Sequence, residues 1–216
     1  MVKAPHPGEV KTRLTPALTA ANAASLASAF LQDTARNARV ACPDVLIAFA
    51  PADGSHTLAP LLSFPVHWVG QQGADLGARL DSAAAKAEAL GFGPMVIIGA
   101  DSPTLPVAYL NTALISLQSG EAELTLGPTE DGGYYLVGTR RRVAGLFDNV
   151  AWSTPAAFSD TLANGQRLGL RPRLLAGWHD IDTFDDLLRL RQEFKEDSSL
   201  MAHAPATGAW LQSHDF

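Results

Sequence analysis

Pro94-Met95-Val96-Ile97-Ile98-Gly99-Ala100-Asp101-Ser102-Pro103 joins the most apolar run of the chain to a carboxylate and a turn. Apolar side chains fill successive positions from Met95 to Ile98, three of them β-branched. A strand with one wet face alternates apolar and polar residues, so an unbroken run describes a strand covered on both faces. Covering both faces takes helices, and that places the chain in the α/β class. Asp101 falls where the strand gives out and Ser102-Pro103 begins a turn.

The flanks repeat the pattern. Upstream, the spacing predicts a helix from an Asp75 cap to Leu90, ended by Gly91 and Gly93. Before it stand a strand at Val66–Val69, a short helix at His56–Leu62, a strand at Val45–Phe49 and a helix at Thr19–Arg39. Downstream, Pro106 suits the first turn of a helix reaching Leu117. Strands at Glu123–Leu126 and Tyr134–Gly138 flank the turn Glu130-Asp131-Gly132-Gly133. A helix at Pro155–Leu168, a strand at Arg171–Leu175 and a helix at Thr183–Phe194 follow. Alternating strands and helices predict one α/β domain over residues 1–195 with a mainly parallel sheet. Residues 196–216 show no periodicity and are expected to form a poorly ordered tail.

Composition narrows the function. The 216 residues carry 16 Lys+Arg against 22 Asp+Glu, a formal charge of −6. That balance excludes nucleic-acid binding through bulk positive charge. The single cysteine, Cys42, excludes an internal disulfide framework and a zinc-ribbon cluster. Charge-free runs such as Ser102 to Gly120 contain prolines and several polar residues, so no membrane span is expected. No basic-then-apolar leader opens the sequence, which makes the cytoplasm the default expectation.

Four segments carry candidate chemistry. Pro5-His6-Pro7-Gly8-Glu9-Val10-Lys11-Thr12-Arg13 is an irregular loop after a first strand. Its point charge at Lys11, fork at Arg13, hydroxyl at Thr12 and free backbone at Gly8 suit a polyphosphate. Asp101 either holds a hard cation or caps its turn, and the residues alone leave both open. Asp180 and Asp182 alternate along an extended segment and so share a side, where two like charges invite a cation. Thr183 or Asp182 would also cap the last helix, with Asp185 and Asp186 favouring its dipole. In Glu130-Asp131-Gly132-Gly133, the glycines fit a hairpin or a close ligand approach, and the carboxylates can accept from sugar hydroxyls. Gly73, Asp75 and Gly77 open a helix in a manner suited to a base or ribose. Trp152-Ser153 offers a ring that could stack or pack.

In order, Lys3 through Leu14, Gly73 through Leu80, Gly99 through Pro103, Glu130 through Tyr135, Trp152 through Thr154 and Asp180 through Thr183 resemble the DUF2064 family. That family belongs to the nucleotide-diphospho-sugar transferase superfamily with the GT-A fold, and is similar to 2-phospholactate guanylyltransferases. The resemblance implies a three-layer α/β/α sandwich whose first strand is here short or missing. It implies phosphate contacts at Pro5, Gly8, Lys11, Thr12 and Arg13, with Lys11, Arg13 and Asp101 catalytic. It further implies Mg²⁺ or Mn²⁺ on Asp101, Asp180 and Asp182, and base and ribose near Gly73, Asp75 and Gly77. Glu130, Asp131, Gly132, Gly133, Trp152 and Ser153 are then expected to bind substrate. The leading expectation is a metal-dependent glycosyltransferase acting between a nucleotide-sugar and a small-molecule acceptor. Nucleotidyl transfer from an NTP to a phosphorylated acceptor is the second expectation, and a non-catalytic nucleotide-binding relative the third.

Overall fold

The computed structural model describes residues 1–216. Its elements run β1 (Val2–Lys3), α1 (Ala20–Ala41), β2 (Leu46–Ala50), α2 (Ser55–Leu58), β3 (His67–Gly70), α3 (Leu76–Ala89), β4 (Met95–Ile98), α4 (Val107–Ser119), β5 (Leu124–Pro128), β6 (Tyr134–Thr139), α5 (Ala157–Arg167), β7 (Pro172–Leu174), α6 (Phe184–Glu196), α7 (Leu200–His203) and α8 (Pro205–Ser213). The anticipated caps are in place. Thr19 Oγ1 accepts from the N–H of Asn22, and Asp75 Oδ1 from that of Ala78. At α6 the cap is Thr183, in a reciprocal box with Asp186, which leaves the Asp182 side chain outside the helix terminus.

Strand pairing is mixed. β1, β2 and β3 form a sheet in that order, with β1 parallel to β2 through Val2↔Phe49 and Lys3↔Ala50. The first strand is thus present but only two residues long. A second sheet has the order β4-β6-β5-β7. There β7 runs parallel to β5, as expected, but β6 is antiparallel to both β4 and β5. The cause is local: the Glu130–Gly133 turn reverses the chain, and Gly132 adopts the positive φ of 84° that such a reversal needs.

Contacts group the chain into two compact units. One comprises Met1–Trp68, Ala100–Pro106 and Asp180–Phe216; the other comprises Val69–Gly99 and Val107–His179. In the first, α1 has two apolar faces. Leu26 and Phe30 pack with Leu14, Leu18, Ile181, Leu187 and Trp210, whereas Leu31 and Ala35 pack with Val2, Ile47 and Phe49. In the second, Leu124, Leu126, Val137 and Leu146 form the core.

Residues 196–216 correct the expectation of a poorly ordered tail: α7 and α8 are formed, and Trp210 and Leu211 are buried with α1. The anchor is Asp33 of α1, 1% exposed, whose carboxylate accepts the N–H groups of Ala206 (3.0 Å) and Thr207 (2.7 Å) in the first turn of α8. A cap supplied from 173 residues away leaves no periodic trace in the sequence of α8 itself. Asp33→Ala leaves one buried and one half-buried donor unpaired and should lower unfolding free energy by about 1–3 kcal/mol in chemical denaturation.

Candidate functional site

The loop after β1 turns at Gly8, whose φ is 82°, and enters a 3₁₀ turn at Thr12–Leu14. Leu14 is fully buried and fixes the end of that turn in the core. Lys11 precedes it in the left-handed region, at φ 48° and ψ 38°, a conformation that a non-glycine residue holds only where its surroundings determine it. What determines it is the side chain. The Lys11 ammonium lies 2.5 Å from Asp101 Oδ1 and 3.0 Å from Asp182 Oδ1, and donates to the carbonyl of Ile181 at 2.6 Å. Its side chain is 5% exposed, against 51% for Asp101 and 45% for Asp182. Burial works against the charge, yet the two carboxylates outweigh it and hold the lysine above its ordinary pKa.

Asp101 and Asp182 reach one cation because the backbone ties their segments together, with the Ile181 N–H donating to the Asp101 carbonyl at 3.0 Å. Asp180 belongs to the same cluster but faces Ser102, whose hydroxyl donates to Asp180 Oδ1 at 2.5 Å. Burial pushes the Asp180 carboxyl up to about 6; the Ser102 hydrogen bond opposes the shift, and the charges of Asp101 and Asp182 add to it. Arg13 is exposed and 3.8 Å from Asp182, and Thr12 is exposed beside it. Lys3 donates to the Glu9 carbonyl at 2.8 Å. A cavity of about 280 Å³ opens over this group, lined among others by Lys3, Lys11, Thr12, Arg13, Asp101 and Asp182. Pro5 and Gly8 shape the loop without lining it.

The expected metal ligands are not a ready-made set. No group of three or more His, Cys, Asp or Glu side chains is arranged to hold a metal ion, and the cation shared by Asp101 and Asp182 is the Lys11 ammonium. The expectation missed Ser102, Lys3 and the Ile181 carbonyl. Ser102 sits in the quoted strand-end motif, so position could have suggested it; a main-chain oxygen gives no sequence signal.

The remaining candidates lie in the second unit and form a group of their own. Gly77, in the first turn of α3, is buried; a Cβ there would stand 2.8 Å from the Phe147 carbonyl and 2.9 Å from Trp152 Nε1. Gly73 has φ 141° and its carbonyl accepts from Arg79 Nε. Trp152 packs edge-on to Tyr134 at 6.3 Å, and a Cβ on Gly132 would meet the backbone of Pro155. Hence one glycine of each motif, Gly77 and Gly132, packs on the Trp152–Pro155 loop, where Ser153 is exposed at φ 60°. Asp131 closes the turn, its Oδ1 accepting from Thr129 Oγ1 and the Gly133 N–H. Asp75 likewise serves as the α3 cap, while Glu130 stays exposed.

The family described as "Uncharacterized protein conserved in bacteria (DUF2064)" matches residues 33–154. A candidate nucleotide-diphospho-sugar transferase from Desulfovibrio desulfuricans G20 superposes with a TM-score of 0.85 at 32% identity, covering 100% of this chain and 96% of that one. CMP:2-keto-3-deoxy-manno-octonic acid synthetase, solved with CTP, gives a TM-score of 0.55 at 13% identity over 77% of this chain and 88% of its own. A cytidylyltransferase from Leptospira borgpetersenii gives 0.53 at 11% identity over 87% of each. No curated protein matches by sequence. The fold is that of nucleotide-diphospho-sugar transferases, and no helix is long and apolar enough to cross a membrane.

The raised Asp180 has a thermodynamic signature. Its value of about 6 exceeds the ordinary 3.8, so the folded state prefers the protonated form. That contribution is fully present below about pH 4 and is lost as pH rises through 6. Asp180→Asn keeps an acceptor for Ser102 and cannot ionise. In chelator, the variant should gain on the wild type by up to about 3 kcal/mol between pH 4 and 7.5 in denaturation titrations.

Proposed function

The chain belongs to the DUF2064 family, and from that membership we propose that it is a glycosyltransferase using a nucleotide-activated sugar with Mg²⁺ or Mn²⁺. The observation that carries the reading is the cavity lined at once by Lys3, Lys11 and Arg13 and by Asp101 and Asp182. Cations alone would suit a phosphate, and carboxylates alone a metal; both in one cavity suit a diphosphate that arrives with a divalent ion. At about 280 Å³ it is smaller than the ~300–1,000 Å³ of a whole drug-sized ligand. It matches the phosphates of a donor better than the entire donor.

The residues fit such an ion in donor chemistry. Asp101, Asp180 and Asp182 carry hard oxygen donors, the kind a divalent ion takes. Asp101 and Asp182 would hold the ion, with Asp180 contributing from its place on Ser102. When bound, it would neutralise charge on the departing diphosphate. Arg13, exposed and forked, grips phosphate oxygens in two-point fashion, and Thr12 adds a hydroxyl. Lys3 supplies a third cation at the mouth. The α3 entrance at Gly73 and Gly77, with Gly77 packed on the Trp152 ring, is assigned to base and ribose. Glu130, Gly132, Gly133 and Ser153 are left to the acceptor, with Glu130 accepting from its hydroxyl.

The CTP carried by one structural relative motivates a second reading, nucleotidyl transfer from an NTP. Thermal-shift titration with Mg²⁺ separates the two. An NDP-sugar near 100-fold its Kd should stabilise the protein by about 2.7 kcal/mol, and Asp101→Asn should lose that gain. Stabilisation by an NTP alone, with pyrophosphate released, would transfer the assignment to the second reading.

A further inference from the structure

We propose that Lys11 is the resident counter-ion of Asp101 and Asp182, and that a divalent ion enters only when a polyphosphate draws the Lys11 ammonium away. The inference rests on the reading of this cavity as one that takes a nucleotide with a metal.

An ammonium has three N–H donors, and here three oxygens receive them: Asp101 Oδ1, Asp182 Oδ1 and the Ile181 carbonyl. No donor is left for a phosphate. The loop cation that the sequence aims at phosphate is therefore spent on the carboxylates. Those same oxygens are the hard donors a divalent ion would need, so ammonium and metal compete for them. The ammonium is also 5.6 Å from the Phe30 ring centroid, which further favours a cation there. The arrangement is poised to change. Lys11 holds a left-handed backbone, and both carboxylates are about half exposed, at 51% and 45%. Arg13 and Lys3 border the same cavity without being consumed by carboxylates to the same degree: Arg13 is 75% exposed and 3.8 Å from Asp182, and Lys3 binds one carbonyl. They can receive a phosphate first. Its oxygens then offer Lys11 new acceptors, and the vacated carboxylates take the ion. Metal and nucleotide thus bind as a unit, and the free ion is turned away.

Mn²⁺ alone, followed by the electron paramagnetic resonance of the free ion, tests this directly. Lys11→Met keeps the aliphatic stem and removes the charge; it should bind Mn²⁺ about ten-fold or more tighter than wild type. Adding Asp101→Asn to Lys11→Met should abolish the gain. Equal affinities would overturn the inference, and so would failure of both proteins to bind Mn²⁺. Stabilisation by an NDP-sugar is measured separately, so the functional reading stands or falls on its own. A wild-type measurement guards against a misfolded variant. The ¹⁵Nζ resonance of Lys11 should stay in place with Mg²⁺ alone and move with Mg²⁺ plus pyrophosphate. Movement with Mg²⁺ alone, or no movement with both, contradicts the proposal.

Discussion

A buried ammonium must be surrounded by oxygen, and much of the first unit is arranged to meet that demand. Lys11 would lose its charge in an apolar setting. It keeps that charge because two segments remote in sequence, at Asp101 and at Ile181–Asp182, meet around it. Their meeting needs the main-chain bond from Ile181 to Asp101, and it needs Ile181 itself to be fully buried with Leu14 and Phe30. The hydrophobic core and the ion cluster are accordingly one construction. Removing a core side chain beneath it would loosen the acceptors, and removing the ammonium would leave two carboxylates repelling each other at close range.

Charge at this cluster also explains why the three aspartates differ. Asp101 and Asp182 face the cation and remain half exposed. Asp180 is buried, bonded to a neutral hydroxyl, and feels the other two as like charges. Identical side chains of one cluster are therefore told apart by environment alone. The net charge of −6 conceals this local economy, because the cations that matter line the same cavity as the carboxylates.

The strand-and-helix alternation was legible because it depends on local spacing: the apolar run at Met95–Ile98 is β4, and Thr19, Asp75 and Thr183 do cap helices. Strand direction was less so. The Glu130–Gly133 turn announced a hairpin, yet only the tertiary structure places β6 antiparallel to β4 as well. The last helices were illegible, since α8 is capped by Asp33 from another helix and anchored by Trp210. Strand-end position drew attention to Asp101 and alternation to Asp180 and Asp182, and Asp101 and Asp182 do meet at Lys11. The 170-residue reach of Lys11 to Ile181 was hidden, because the sequence shows the lysine only beside Thr12 and Arg13. Asp131 is the opposite case: the partners of its Oδ1, Thr129 and Gly133, are two residues away, so the turn contact was local and within reach of the sequence.

The geometry further constrains which cation can stand at position 11. Its three acceptors lie around a single point, at 2.5, 3.0 and 2.6 Å. An ammonium is a compact charge with donors spread in three directions, and it fits such a point. A guanidinium is planar and presents its donors in a fixed fork, suited to two parallel oxygens. It would also need more room beneath the cavity than a side chain 5% exposed against Phe30 can yield. Arg13 shows the converse: its fork stands outside, 75% exposed and 3.8 Å from Asp182. The order Lys-Thr-Arg thus sets two kinds of cation in two places: one compact and inward, held by three oxygens, the other planar and outward.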